Sequence, residues 1–166
     1  MKAAEVLRIL ELLEERGLRA WLDGGWGVDA LLRRVTRRHD DVDVVVESAA
    51  LDDVLVALGS LDYRVAEDHA PTRVVVRASD GRQVDLHLVL FDSDGTAWQP
   101  GACPDGSDCP YPPSGFGRGR ILDRDVPCIS AELQLEHHRG YEPRPHDRVD
   151  MANLAERFGL TLPHPY

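Results

Sequence analysis

Trp21-Leu22-Asp23-Gly24-Gly25-Trp26-Gly27-Val28-Asp29, followed by Thr36-Arg37-Arg38-His39-Asp40-Asp41-Val42-Asp43 and the valines Val44 to Val46, is the stretch from which the rest of the 166-residue chain can be read. It spells a short apolar strand, a double-glycine turn into a helix, a basic loop, and a second strand that opens on carboxylates spaced i, i+2. Alternate side chains of a strand share a face, so Asp41 and Asp43 project together while Val42, Val44 and Val46 point the other way. Two neighbouring carboxylates repel unless a cation sits between them, and hard oxygen donors of this kind suit magnesium. The stretch therefore predicts a metal-dependent site acting on phosphates.

Working outward, Ala3 to Arg16 carries Val6, Ile9, Leu10 and Leu13 at helical spacing, with Gly17 where the helix would stop. Arg19 to Asp23 is too short and apolar for another helix and reads as a buried strand. Gly24 and Gly25 allow a tight turn, after which Gly27 to Arg34 forms a helix with Val28, Leu31 and Leu32 inward. Beyond the acidic strand, Ser48 is placed to cap a helix over roughly Leu51 to Leu61, with Asp52 and Asp53 in its first turn. Tyr63 to Ala66 reads as a short edge strand. Thr72 to Ala78 and Arg82 to Leu90 flank Asp80-Gly81, a strong hairpin signal. In the second of these segments Val84, Leu86 and Leu88 alternate with Asp85 and His87, so a third carboxylate leaves the face opposite the core.

Asp92 to Gly119 is rich in Gly, Pro, Ser and Asp and holds Trp98, Tyr111 and Phe116. A stretch of this length is either a substrate-facing lid or a plain solvated loop. Arg120 to Leu122 and Val126 to Cys128 form a small hairpin around Asp123-Arg124. Ser130 then caps a helix to about Arg139, Tyr141 to Pro145 breaks it, and a last helix spans His146 to Phe158. Strands, hairpins and helices in this order indicate an α+β fold, with a mixed sheet flanked by helices and two carboxyl-terminal helices closing it.

A formal charge of -10 argues against non-specific nucleic-acid binding and is compatible with a cationic small molecule. Glu5, Arg8, Glu11, Glu14 and Glu15 interrupt any leader-like apolar run, and no segment approaches the roughly 20 apolar residues of a membrane span. A cytoplasmic protein without membrane contact is expected. In that compartment Cys103, Cys109 and Cys128 read as ordinary thiols rather than a bridge between the first two.

An isolated D-x-D pair is often two solvated charges. Here its surroundings each have a task in nucleotidyl transfer. Backbone N–H groups of the Gly24-Gly25 turn can approach phosphate oxygens at the positive end of a helix. Arg37 or His39 can neutralise triphosphate charge, the arginine fork matching phosphate better. Three carboxylates, Asp41, Asp43 and Asp85, can hold one or two Mg²⁺ ions, and Asp85 can also accept a hydroxyl proton.

Trp21-Leu-Asp-Gly-Gly-Trp-Gly-Val-Asp29, His39-Asp-Asp-Val-Asp43, Val84-Asp-Leu-His87 and Val126-Pro-Cys-Ile-Ser130 resemble the successive motifs of the small lincosamide nucleotidyltransferases. The likeness continues through Gln134 to Tyr141 and His146 to Leu154. More distantly the chain is similar to aminoglycoside 2''-adenylyltransferases, within the polymerase-beta-like nucleotidyltransferase superfamily. The resemblance implies transfer of a nucleoside monophosphate from an NTP, ATP or GTP, with Mg²⁺, to a hydroxyl of a small antibiotic, and a homodimer. It implies a catalytic domain over 1–128, with the long loop at 92–119, and a helical segment over 129–166 packed on it. Asp41 and Asp43 match the metal pair, Asp85 the third carboxylate, and Gly24 and Gly25 the turn at the triphosphate. His138 either faces the nucleotide or is a satisfied packing histidine, and His87 either orients substrate or packs. Trp98 and Tyr111 are candidate acceptor contacts. The alternatives are a protein-modifying nucleotidyltransferase of antitoxin type and a non-catalytic nucleotide-binding module.

Overall fold

The computed structural model describes residues 1–166. In chain order its elements are α1 (Ala3–Glu15), β1 (Ala20–Asp23), α2 (Gly24–Leu32), β2 (Asp41–Glu47), α3 (Leu51–Gly59), β3 (Arg64–His69), β4 (Arg73–Arg77), β5 (Gln83–Phe91), β6 (Ala97–Gln99), β7 (Cys109–Tyr111), β8 (Phe116–Ile121), β9 (Arg124–Ile129), α4 (Ala131–His137) and α5 (Pro145–Phe158). The sheet runs β3-β4-β5-β2-β1-β9-β8, with β6 joined to β5 and β7 to β6. The β2–β5 and β1–β9 pairs are parallel and the remaining pairs antiparallel, as a mixed-sheet α+β fold requires.

Alternation along the strands decides what each face meets. Leu22, Val42, Val44, Val46, Leu86 and Leu88 turn one way and pack under the apolar stripes of α1 (Val6, Ile9, Leu10, Leu13) and α3 (Val54, Ala57, Leu58). Each such fully buried aliphatic side chain contributes roughly 1.5–3 kcal/mol to folding. The opposite face is divided. At one end Val45 and Val89 are covered by Ala97, Tyr111, Ile129 and Leu133, while the other end carries Asp23, Asp43 and Asp85. A third cluster, Val28, Ala131, Leu135, Met151 and Leu154, binds α2 to α4 and α5.

Several elements depart from the sequence-based expectation. The helix after β1 begins at Gly24 rather than Gly27, because the Asp23 carboxylate accepts the Gly24 N–H at 2.6 Å and starts the helix at once. Ser48 does not cap α3. It opens a 3-10 turn over Ser48–Ala50, its hydroxyl buried without a partner. The edge strand β3 reaches His69 and is exposed throughout, with a bulge between Val65 and Glu67.

The largest correction falls on 92–119, which is not a plain solvated loop but an ordered arm whose inner side lines a cleft. Asp92 closes its first turn by accepting the N–H of Thr96 at 3.0 Å. Leu90 then pairs with Trp98, and Ala97 to Gln99 pair with Cys109 to Tyr111. That pairing brings the Cα atoms of Cys103 and Cys109 to 5.1 Å, within bridging range, and the two are joined by a disulfide rather than left as thiols. Cys128 is the free cysteine; burial pushes its thiol up to about 12. The β8–β9 hairpin is longer than expected, starting at Phe116. Ser130 caps α4 as read, accepting the Leu133 N–H at 3.2 Å.

Candidate active site

The register of three strands builds the site. Asp23 of β1 pairs with Asp43 of β2, and Asp43 with Asp85 of β5, so three carboxylates form one row across the sheet. His87, two residues beyond Asp85, shares their face: its Nε2 is 3.5 Å from Asp43 Oδ1 and its Nδ1 3.9 Å from Asp23 Oδ2. Ligating atoms of Asp43, Asp85 and His87 all lie within 4.8 Å of one another. Asp41, in register with Gln83, borders the same cleft but stands outside this cluster.

Electrostatics reflect the crowding. Burial raises the Asp85 carboxyl above its usual range and the charges of Asp43 and Asp41 add to this, against the opposing pull of His87 and Arg73. Burial, then the Asp43 charge, raises Asp41 as well. Burial opposes the charged form of His87, but the hydrogen bond to Asp43 and the charges of Asp23, Asp43 and Asp85 prevail and lift it to about 9. Asp85 Oδ2 accepts from Arg73 Nη1 at 2.8 Å, while Asp85 Oδ1 is buried with no partner. A buried carboxylate oxygen without a donor, beside a second carboxylate, fits a divalent cation with a preference for oxygen ligands.

The glycines match this geometry. Gly24 has φ +52°, and a Cβ there would lie 2.2 Å from Asp43 Oδ2. A Cβ on Gly25 would lie 2.5 Å from Arg37 Nη2 and from His39 Nδ1. Thus the amino-terminal turn of α2 meets the Asp43 carboxylate on one side and the Arg37 and His39 side chains on the other. Arg37 and His39 are, however, committed to other partners. Arg37 donates from Nε and Nη2 to Asp150 Oδ2 at 3.0 and 2.9 Å, and buried His39 holds Asp29 Oδ2 at 2.6 Å. Asp29 in turn accepts from the backbone and hydroxyl of Thr36, so the basic loop is pinned to α2. His138 Nδ1 is 2.7 Å from the carbonyl of Gln134, and its ring borders the cleft.

The carboxylates, His87, the two glycines, Arg37, His39 and His138 border one cleft of about 1130 Å³, just above the usual size of small-molecule sites. Tyr111 lies in its wall but is buried, its hydroxyl donating to Gln99 Oε1 at 2.8 Å. Trp98 is not brought to the cleft: it points outward from β6 and donates to Asp92 Oδ2 at 3.0 Å. A second cavity of about 510 Å³, between α1 and the β8–β9 hairpin, touches none of the sheet carboxylates.

Sequence reasoning missed Asp23, Arg73, Asp150 and His137. Asp23 had a visible signal, an acid directly before a helix-opening Gly-Gly. Arg73 and Asp150 had none, since their partners lie 12 and 113 residues away. His137 borders the cleft against the edge of Tyr111, and burial lowers it below the ordinary imidazole value.

Comparison with known proteins places this geometry. A lincosamide resistance protein of Staphylococcus haemolyticus is 33% identical over 150 residues, covering 90% of this chain and 92% of that one. A 2''-aminoglycoside nucleotidyltransferase of Escherichia coli is 32% identical over 130 residues, 75% of this chain and 66% of the relative. Among solved structures, the lincomycin-bound lincosamide antibiotic adenylyltransferase LnuA superposes with a TM-score of 0.82 at 32% identity, covering 93% and 96% of the two chains. ANT(2'')-Ia in complex with adenylyl-2''-tobramycin shares the fold at a TM-score of 0.74 and 22% identity, over 95% of this chain and 89% of that one. Residues 5–154 match the aminoglycoside-2''-adenylyltransferase family, and the chain belongs to that family and is a nucleotidyltransferase.

Proposed function

We propose that this protein transfers a nucleoside monophosphate from ATP or GTP to a hydroxyl of a small antibiotic of the lincosamide type. The observation that carries the reading is the Asp43–Asp85 pair, one oxygen of which is buried and unpartnered, set against the Gly24-Gly25 start of a helix. Asp43 and Asp85, with Asp41 beside them, would hold Mg²⁺. Bound there, the ion supplies charge neutralisation at the triphosphate and at the attacking oxygen.

The chain's own groups do the rest. The first turn of α2 offers backbone N–H groups and the positive helix end to phosphate oxygens. Arg37, oriented by Asp150, lies beside Gly25 to balance their charge, and His138 borders the nucleotide side. Asp85 takes the proton of the acceptor hydroxyl as its oxygen bonds to the α-phosphorus and the bond to pyrophosphate breaks. His87 positions Asp43 through their contact.

A lincosamide-type acceptor is favoured over a polycationic aminoglycoside for two reasons. The staphylococcal relative aligns over 92% of its length. In addition, the wall that the arm gives to the cleft, Gln99, Pro104, Pro110 and Tyr111 among it, carries no carboxylate to bind several ammonium groups. The reading includes cytoplasmic action and a homodimer, which light scattering would reject by returning the 18.5 kDa monomer mass at working concentration. The direct test incubates the protein with Mg²⁺, each NTP, and lincomycin or tobramycin. A nucleotidyl mass gain on lincomycin is expected, and absence of product from both acceptors would refute the assignment.

A further inference from the structure

We propose that Arg73 is a positioning residue: by occupying Oδ2 of Asp85, it leaves Oδ1 as the single oxygen that this carboxylate presents to the Asp43–His87 cluster. The inference rests on the nucleotidyl-transfer reading of Asp85. Its basis is geometric. Val75 of β4 lies opposite Asp85, and Arg73 lies opposite His87, so Arg73 reaches Asp85 along the diagonal of the β4–β5 ladder. The contact is 2.8 Å. From the outer side the guanidinium is held by Glu67 of the edge strand at 3.5 Å, an acid that also faces Arg77 at 3.7 Å and His69 at 3.5 Å.

The two oxygens of Asp85 are therefore unequal. One is engaged, and the other is buried without any donor. A carboxylate with both oxygens free can turn to grip a cation bidentately, which draws a lone pair of each oxygen onto the metal and lowers the basicity of both. With Oδ2 held by a guanidinium, Asp85 keeps one orientation and one available oxygen. Arg73 is 40% exposed on its side chain but Asp85 only 10%, so the guanidinium offsets part of the burial of the carboxylate's charge and, held from outside by Glu67, also fixes the carboxylate's orientation.

The test compares Arg73→Met with Arg77→Met, a control on the same strand that touches Glu67 but not Asp85, both in the full chain. Steady-state constants for ATP and lincomycin are measured. Mn²⁺ binding is followed separately by electron paramagnetic resonance with a non-hydrolysable ATP analogue. Arg73→Met is expected to lower kcat about 10–100-fold, the usual cost of losing a group that orients a metal-site ligand, with KM for ATP unchanged. Mn²⁺ should bind about tenfold tighter, because a fixed positive charge beside the ion is gone. Guanidinium ion added to Arg73→Ala should restore part of the turnover, and Arg77→Met should match the wild type. Turnover of Arg73→Met within about twofold of wild type, or Mn²⁺ affinity that falls together with turnover, would overturn the proposal, the latter revealing a merely structural pair. Should the wild type transfer no nucleotide to any acceptor, the transfer reading falls by itself. The Mn²⁺ comparison then still decides: tighter binding supports the role of Arg73, and unchanged or weaker binding removes it.

Discussion

The row Asp23–Asp43–Asp85 and the wall made by β6 and β7 border the same cleft, but they are held in place by different physics. The row is set by backbone register across three strands at the centre of the sheet, where a shift of one residue would exchange the carboxylates for core valines. The wall consists of two three-residue strands tied down by side chains. Tyr111 bonds Gln99, Gln99 Nε2 bonds the Thr72 carbonyl at 3.0 Å, Thr72 Oγ1 bonds the Pro100 carbonyl at 2.7 Å, and one disulfide closes the tip. The carboxylates thus stand where the backbone has least freedom, and the cleft wall stands where a few substitutions can reshape it.

The comparison breaks most visibly at the row. Asp43→Asn should lower turnover on the order of a thousandfold, since it removes a charge from the centre of the site. Its melting temperature should not fall by more than a few degrees, because the substitution also relieves crowding among acids. Turnover within tenfold of wild type would exclude the metal-ligand role proposed for Asp43. The next largest effect is expected of Gly24→Ala. Its Cβ would sit 2.2 Å from Asp43 Oδ2, at a residue with φ +52°, so Asp43 must move or the helix start must distort. Displacement of this kind costs about a hundredfold in kcat/KM, and unchanged kinetics would show that the glycine is not required by the site.

Much of the row was legible in the chain itself, because period-two alternation is a local property. Asp41 and Asp43 against Val42, Val44 and Val46, and Asp85 and His87 against Val84, Leu86 and Leu88, declare their faces without knowledge of the partner strand. What alternation does not disclose is which strands are neighbours and which charges find one another. Asp29 with His39, Arg37 with Asp150 and Arg73 with Asp85 depend on packing between separate elements. The arm was read least well for the same reason. Its Gly and Pro content suggested a loop, yet pairing of β6 with the end of β5 orders it and brings Cys103 to Cys109. A compartment argument about thiols could not anticipate that proximity.

At the wall the expected effects are smaller and fall on different constants. The double substitution Cys103→Ser, Cys109→Ser should raise KM for the acceptor several-fold while leaving kcat and KM for ATP near their wild-type values. Both cysteines border the cleft on the arm and neither approaches the carboxylate cluster. The bridge spans a sequence separation of 6, and closing so short a ring limits its contribution to about 2 kcal/mol, measurable by denaturant unfolding with and without reductant. A fall in kcat equal to that of Asp43→Asn would mean that wall and row are not separable.

The smallest effect is expected of Trp98→Ala, which tests the division within the wall itself. Trp98 and Gln99 are adjacent in β6 and therefore face opposite ways. Gln99 is buried and bonded to Tyr111, whereas Trp98 is 39% exposed, opposite the exposed Leu90 and outside the cleft lining. Removing the indole ends one hydrogen bond to Asp92, an acid that still closes its turn through the Thr96 N–H. Exposed substitutions of this kind usually cost about 0.5 kcal/mol or less, so all kinetic constants should stay within about twofold of wild type. A tenfold rise in KM for the acceptor would instead place the outer face of β6 in contact with substrate, and would require the arm to turn over before it binds.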